Sequence, residues 1–351
     1  MKKKWLWNIF WLALVAVLLY AIFKDIDFRD VYTILTVIDP VYITLAVVVT
    51  GLTFFVWAIR WTFVSGKLFK GDFWFLLNVL LAGAFFNSIT GGAGVGGEPF
   101  RAHFLAKRYK RSMTQMLAYV LADKFYQLIV LAVFTIFSVF FVFVYVDISN
   151  TLKYVLEGVL VFVVLFSGIT IYLTLRRLNF NLGVFFKKLH FFNFIKKRFK
   201  KEEQFEAFLN NRIKIFARVF RRSVKNRKVM FEALLLSVFY WFFFYLATYF
   251  LFLAFDFQIN FLSLIIVVTL GNLIGSLAMV PGGVGIVEIS MTLLFSAMGV
   301  FFPLAFLVSL LTRLVYYVFS LPIGALSLWY VRKVTNGPLG NKPLEKVSKT
   351  K

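Results

Sequence analysis

Glu98, Arg101, Asp123, Lys124, Glu288 and Arg313 stand inside or beside long apolar stretches of the chain. An ionisable group in hydrocarbon is costly, so function is the default reading of each. Two of the acids follow glycine clusters. Gly91-Gly92-Ala93-Gly94-Val95-Gly96-Gly97 runs into Glu98, and Pro281-Gly282-Gly283-Val284-Gly285 comes just before Glu288. Glycine lets the backbone leave helix geometry, and unpaired amides at membrane depth are tolerated only where protein or a wet cavity surrounds them. A half-helix beginning after such a loop offers free N–H groups and the positive end of its dipole, which suits a phosphate. The Glu98-Pro99 step fits a helix start with proline at its first position. The candidate binding set is therefore Gly91, Gly92, Gly94, Gly96, Gly97, Glu98, Arg101, Asp123 and Lys124, with Gly282, Gly283, Gly285, Glu288 and Arg313.

Each feature has a plainer reading. Glycines in membrane helices are commonly contact points between helices, and Asp123, Lys124 and Arg313 would also serve as a structural ion-pair set. Arg60 reads as a residue snorkelling from a helix end, and Asn87 and Asn272 as groups that satisfy broken backbone.

Other chemistry has little to work with. The chain has no cysteine and two histidines, His103 and His190, neither with an evident partner, so no metal or other cofactor is expected. No G-x-x-x-x-G-K-[ST] phosphate loop and no nucleophile-base-acid set occur, which leaves no catalytic residue to name. Asp25-Ile26-Asp27 is a lone D-x-D on a short outer loop and reads as solvated surface.

The elements that position these residues follow from composition. Of 351 residues 61% are hydrophobic and only 16% charged, more apolar than one soluble core requires. Runs long enough to span a bilayer, about 20 residues, occur at 5–23, 41–64, 113–145, 154–175, 230–254 and 303–331. The first, after Lys2-Lys3-Lys4, lacks a small-residue cleavage site and reads as an uncleaved anchor. Regions 73–100 and 262–302 are apolar but broken by the glycine clusters. The expected fold is an all-α polytopic membrane protein, one domain over 1–351. It has about six full spans plus two glycine-loop hairpins (73–112 and 262–302), eight helices by hydropathy, in an inverted-repeat transporter-like arrangement.

Charge orients it. With the first hairpin re-entrant from the cytoplasm, the inner segments hold 34 of 39 basic residues, while Lys24, Arg29 and Lys153 fall outside beside six aspartates. A full crossing would instead put Arg101, Lys107, Arg108, Lys110 and Arg111 outside. Both termini, the loop 176–229 and the tail 332–351 are thus expected in the cytoplasm of a cell with this chain in its plasma membrane. The second region satisfies the same parity as a hairpin from the opposite face or as two full spans.

The formal charge of +23 lies in loops between spans, which points to anionic inner-leaflet headgroups rather than nucleic acid. In the basic loop Phe205, Phe208, Leu209, Ile213, Phe216, Ala217 and Phe220 recur at helical spacing, as in an interfacial helix. The glycine regions also align: Asp123 follows Glu98 by the same 25 positions that separate Arg313 from Glu288, each roughly 15 Å into its span. Glycine-interrupted segments in matching places of two halves point to a transporter's substrate site.

At GGAGVGGEPFRAHFLAKR (91–108) and PGGVGIVEISMTLLFSAMGV (281–300) the chain resembles the flippase-like transmembrane family named after lysylphosphatidylglycerol synthase, the membrane half of the multiple peptide resistance factor. The resemblance covers nearly the whole chain. It implies movement of a phospholipid or polyprenyl-linked lipid between leaflets. In the bifunctional factor a soluble domain transfers lysine to phosphatidylglycerol; a tail of about 20 residues after the last span has no room for one, so a stand-alone member is expected. A phosphatidylglycerol lysyltransferase label is not supported by these residues. Two other readings stay open, an intramembrane lipid-modifying transferase and a non-catalytic scaffold for a separately encoded lipid enzyme, and so does homo-oligomerisation.

Overall fold

The computed structural model describes residues 38–69, 71–90, 96–145, 202–277 and 283–336, with parts of 153–168. The expected anchor at 5–23, most of the span at 154–175, glycine-loop residues 91–95, Pro281 with Gly282, and the tail beyond 336 lie outside the described residues.

The elements are α1 Pro40–Ser65, α2 Phe73–Ile89, α3 Gly97–Arg108, α4 Met113–Tyr145, α5 Glu202–Lys225, α6 Arg227–Leu253, α7 Phe261–Leu277, α8 Ile286–Ala297, α9 Phe302–Val318 and α10 Gly324–Asn336. No strand occurs among the described residues. Four stretches are long and apolar enough to cross a membrane: α1, α4, α6, and the run from Phe302 to Asn336 that joins α9 to α10. Their outward faces carry large apolar side chains such as Phe140, Phe231, Leu326 and Trp329, the surface a lipid solvent requires.

Local chemistry sets the ends. Asp39 Oδ1 accepts from the Val41 N–H at 2.8 Å, and Pro40 follows as the first residue of α1. Gly66, at φ 60°, stops the helix. Asn226 and Asn260 cap α6 and α7 through their side-chain oxygens. Between α9 and α10 a π-turn, Phe319–Ile323, surrounds Pro322, whose missing N–H cannot continue an α-helical ladder.

The order long helix, short pair, long helix occurs twice. Helices α1 to α4 have 26, 17, 12 and 33 residues. From α6 the lengths are 27, 17 and 12, followed by the 35-residue run. Linkers 66–72 and 254–260 match, as do 109–112 and 298–301. Each short pair is an antiparallel hairpin of close-packed helices. A Cβ on Gly97 would strike the Gly83 carbonyl and Asn87 Oδ1, and one on Gly83 would strike the Arg101 side chain. In the second pair, Gly275 sits against Val287 and Gly271 against Met291. The close-packing reading of glycine therefore holds at these positions.

Some expectations need correction. Helix α3 starts at Gly97, whose N–H is held by Asn87 Oδ1 at 2.6 Å, so Pro99 lies inside the first turn rather than at its first position. Arg60 and Arg101, counted with the cytoplasmic loops, are buried within α1 and α3. The loop assignment stopped the hairpin's apolar run at Phe100, whereas the helix continues to Arg108 because its buried face continues through Ala102, Phe104 and Leu105.

Gly97→Ala should push α3 off α2 and lower stability in detergent by about 1–3 kcal/mol, the usual cost of overpacking. Gly158→Ala, where an added Cβ meets nothing within 4 Å, should leave the melting temperature unchanged or higher. A thermal-melt comparison of the two purified variants checks this.

Candidate functional site

Three basic residues and two acidic ones meet where α1, α3, α4 and α6 pack together. Arg60 is fully buried, and it donates through Nε to Asp123 Oδ1 at 2.7 Å and through Nη2 to Oδ2 at 3.1 Å. Its Nη1 donates to Ser237 on α6 at 2.9 Å, and Trp57 Nε1 donates to Asp123 Oδ2 at 2.7 Å. This bidentate, side-bonded pair ties α1, α4 and α6 together. Arg60 is thus a buried partner and not a snorkelling residue. A position near a helix end is ambiguous from sequence, because the same location serves a cation reaching out or one folding in toward a carboxylate.

The neighbouring group is less complete. Lys124 Nζ donates to Glu98 Oε1 at 2.8 Å, and Arg101 Nη1 lies 3.8 Å from the same oxygen. Glu98 and Arg101 are each 2% exposed. Glu98 Oε2 and Arg101 Nε and Nη2 are buried without a hydrogen-bond partner among the described residues. Beneath the Arg101 side chain lies Gly83, and its guanidinium stacks 4.4 Å from the Trp57 ring. One face of that cation is thus fixed while its donors are unspent.

In the second half Glu288 does two jobs. Its Oε2 accepts from the Gly285 N–H at 2.8 Å, the glutamate half of a capping box at the start of α8, and its Oε1 lies 3.4 Å from Arg313 Nε. Gly285, at φ 84°, and Gly283, at φ 70°, supply backbone conformations that other residues rarely adopt. Arg313 also donates to the Tyr317 hydroxyl at 3.3 Å. Of the candidate residues, Gly96, Gly97, Glu98, Arg101, Asp123 and Lys124 come together, as do Gly283, Gly285, Glu288 and Arg313. Gly91, Gly92, Gly94 and Gly282 lie outside the described residues.

A strip of rings links the two groups. Trp57 lies 6.3 Å from Phe54, Phe54 stacks 6.0 Å from Tyr316, and Arg313 sits 6.0 Å over Tyr316. Tyr240, edge-on to Trp57 at 5.9 Å, also lies against Arg60. Sequence reasoning missed Trp57, Ser237, Tyr240 and Tyr316. Aromatic residues make up 20% of this chain, so none carries a distinguishing signal.

Two smaller expectations resolve as well. Asn87 satisfies the Gly97 amide, and Asn272 Nδ2 donates back to the Val268 carbonyl at 2.8 Å. The depth of Asp123 does not follow from counting along α4. At 33 residues that helix is about 50 Å long, well beyond a hydrocarbon layer of about 30 Å. Its partner Arg60 instead places it within a turn and a half of the end of α1 at Ser65. Helix α5 turns Phe205 and Leu209 inward, packs Phe220 against Phe125 on α4, and exposes Lys214, Arg218, Arg222 and Lys225. Beyond the spans, Tyr109 donates to Asp72 Oδ2 at 2.9 Å. Burial first, then the Asp72 charge, pushes its phenol well above the ordinary tyrosine range.

Residues 8–324 match the family described as the lysylphosphatidylglycerol synthase TM region. The chain belongs to this family. Among curated relatives of this lysylphosphatidylglycerol synthase TM-region chain, a UPF0104 membrane protein of Pyrococcus horikoshii is 26% identical over 300 residues, covering 84% of this chain and 89% of its own. A UPF0104 membrane protein of Methanothermobacter thermautotrophicus is 29% identical over 278 residues, 75% of this chain and 77% of its own. One from Methanocaldococcus jannaschii is 24% identical over 323 residues, covering 89% and 91%. The family assignment and the apolar helices together make this a multi-pass membrane protein.

Asp123→Ala should strand the Arg60 guanidinium and cost about 3–5 kcal/mol, whereas replacing both partners by Met and Leu should recover most of it, since an ion pair and a packed apolar pair differ little. Thermal unfolding of the two variants in the same detergent is the measurement.

Proposed function

We propose that this protein moves a phosphate-bearing lipid between the leaflets of the plasma membrane, with both termini in the cytoplasm. The observation carrying this reading is the pair of buried, unspent hydrogen-bonding groups of Arg101 and Glu98. They sit beside a glycine loop in a junction that a soluble ligand reaches less readily than one already held in the bilayer. Buried donors and acceptors without partners cost roughly 1–3 kcal/mol each, and a ligand that engages them recovers that energy. Acyl chains would remain in lipid while the headgroup crosses among Arg101, Arg313 and the ring strip between them.

The repeated element order supports an inverted arrangement of two halves. Arms of 17 and 12 residues are about 26 and 18 Å long, short of a hydrocarbon layer of about 30 Å. Each hairpin therefore enters and returns, the first from the cytoplasm and the second from outside. Exposed cations on α5 would rest against anionic inner-leaflet headgroups. A transferase acting at the same junction is the second reading, favoured only by the enzyme in the family's name.

Reconstitution into vesicles with labelled phospholipid tests the proposal. Protein-containing vesicles should equilibrate label between leaflets faster than empty ones. Glu98→Gln, Glu288→Gln and Arg313→Lys, each of which keeps a polar group in place, should slow exchange by about tenfold or more in protein that still unfolds cooperatively; tenfold corresponds to about 1.4 kcal/mol. Exchange no faster than in empty vesicles defeats the reading, and a changed lipid mass after incubation with a donor favours chemistry instead.

A further inference from the structure

The run from Phe302 to Asn336 is one apolar stretch in sequence and two helices in the fold, and its halves belong to different hydrophobic cores. Leu304, Val308 and Val315 of α9 pack in one core with Met291 and Phe295 of α8. Val331 of α10 lies in another with Leu76 and Leu80 of α2 and Leu105 of α3, and Phe319 and Ile323 border it. Polar contacts follow the same division. Arg313 leans on Glu288 of α8 at 3.4 Å, whereas Ser88 of α2 donates to Ser320 at 3.0 Å and Lys107 of α3 donates to Asn336. A Cβ on Gly324 would lie 2.8 Å from the Leu81 carbonyl, so α10 sits directly on the backbone of α2. The second hairpin thus carries α9, and the first carries α10.

Between these attachments the backbone ladder is cut. Pro322 has no N–H for the Val318 carbonyl, the bond that would join the last turn of α9 to the first of α10. Prolines and π-turns are where helices bend sharply, and π-turns gather at functional sites. The repeat itself does not require the break. Helix α4, the matching element of the first half, passes through both cores, with Met116 in one and Val139 in the other, and has neither proline nor glycine in 33 residues. Room lies beside the cut: a cavity of about 10 Å³, space for one water, opens between α1, α6 and α9 and is lined by Thr50, Thr248, Thr312 and Tyr316 among others. We propose that the π-turn Phe319–Ile323 is a hinge, about which the first hairpin and α10 rock as one body against the second hairpin and α9. A swing of about 20°, the onset of a sharp kink, carries the far end of the 13-residue α10 by roughly 7 Å. That this swing opens a lipid's path past the hairpins rests on the transport reading above; the hinge itself does not.

Paired spin labels on the full-length protein in detergent test this, and because the chain has no cysteine, each introduced pair supplies the only thiols. Trp74 on α2 and Leu293 on α8 are exposed, one on each body, whereas Trp74 and Leu326 of α10 are exposed on the same one. Labels at Trp74→Cys and Leu293→Cys should give two distances, or one distribution about twofold wider than labels at Trp74→Cys and Leu326→Cys give. Pro322→Ala restores the missing N–H, so it should narrow the first pair to the width of the second and leave the melting temperature unchanged or higher. In vesicles the same variant should slow leaflet exchange by about fivefold or more. A first pair as narrow as the second in otherwise wild-type protein overturns the hinge, and so does a spread that Pro322→Ala does not reduce. Should Pro322→Ala not fold, the comparison of the two pairs without it decides. Spread distances without any leaflet exchange defeat transport and leave the hinge standing; exchange with one narrow distance does the reverse. Narrowed distances with unaltered exchange in Pro322→Ala overturn the hinge's part in transport.

Discussion

A guanidinium cut off from water has to be answered inside the protein, and this requirement shapes the junction of α1, α3, α4 and α6. Arg60 is answered in full: two bonds from Asp123, one from Ser237, and an indole N–H that shares the same carboxylate. Isolated burial of such an ion costs several kcal/mol, which excellent geometry and added hydrogen bonds offset. Because the bonds come from three helices, α1, α4 and α6 cannot slide past one another without breaking them. Arg101, stacked 4.4 Å from the ring of Trp57, is answered only in part. A closed pair and an open one thus stand side by side in the same low-dielectric setting.

Glycine enables that contrast. Helix α3 comes close enough to α2 for Gly97 to touch the Gly83 carbonyl, and Gly83 in turn leaves the room across which the Arg101 side chain lies. A Cβ at position 83 would meet Arg101 Nε, Cγ and Cδ, so the arginine side chain would have to shift. Glycine thus acts here through volume rather than through backbone freedom, while Gly283 and Gly285 in the second hairpin act through positive φ. The two rationales, packing and loop conformation, apply to different glycines of the same motif.

Much of this was legible in sequence, and the remainder was not for identifiable reasons. The span Met113–Tyr145 was read to the residue, because a predominantly apolar run between a basic loop and an aspartate has clear edges. Glu98, Asp123, Lys124, Glu288 and Arg313 were picked out because ionisable residues are rare in such runs. Their pairing was not. The ion-pair set expected of Asp123, Lys124 and Arg313 does not form: Asp123 bonds to Arg60, Arg313 lies against Glu288, and the cation held by Glu98 is Lys124, one residue beyond Asp123 along α4. One residue turns a helix by about 100°, so a single position decides which neighbour a side chain meets. Arg60 and Trp57 of α1, Asp123 of α4 and Ser237 of α6 belong to helices far apart in sequence, and only packing reveals that they converge.

The two halves share lengths but not charge. Where the first half places an acid, Asp123, the second places Arg313, and each finds a different solution: Asp123 draws in Arg60 from α1, whereas Arg313 leans on Glu288 of α8. Glu288 is committed to its own helix start through the Gly285 amide, while Glu98 keeps an oxygen without a partner. The same motif position therefore serves as a cap in one hairpin and as an uncommitted carboxylate in the other. A repeat with identical halves would offer an anion two equivalent resting places. Here Glu288 and Arg313 are paired at 3.4 Å in the second half, whereas in the first Glu98 shares one oxygen between Lys124 and Arg101, and the ring strip through Trp57, Phe54 and Tyr316 runs between the two groups.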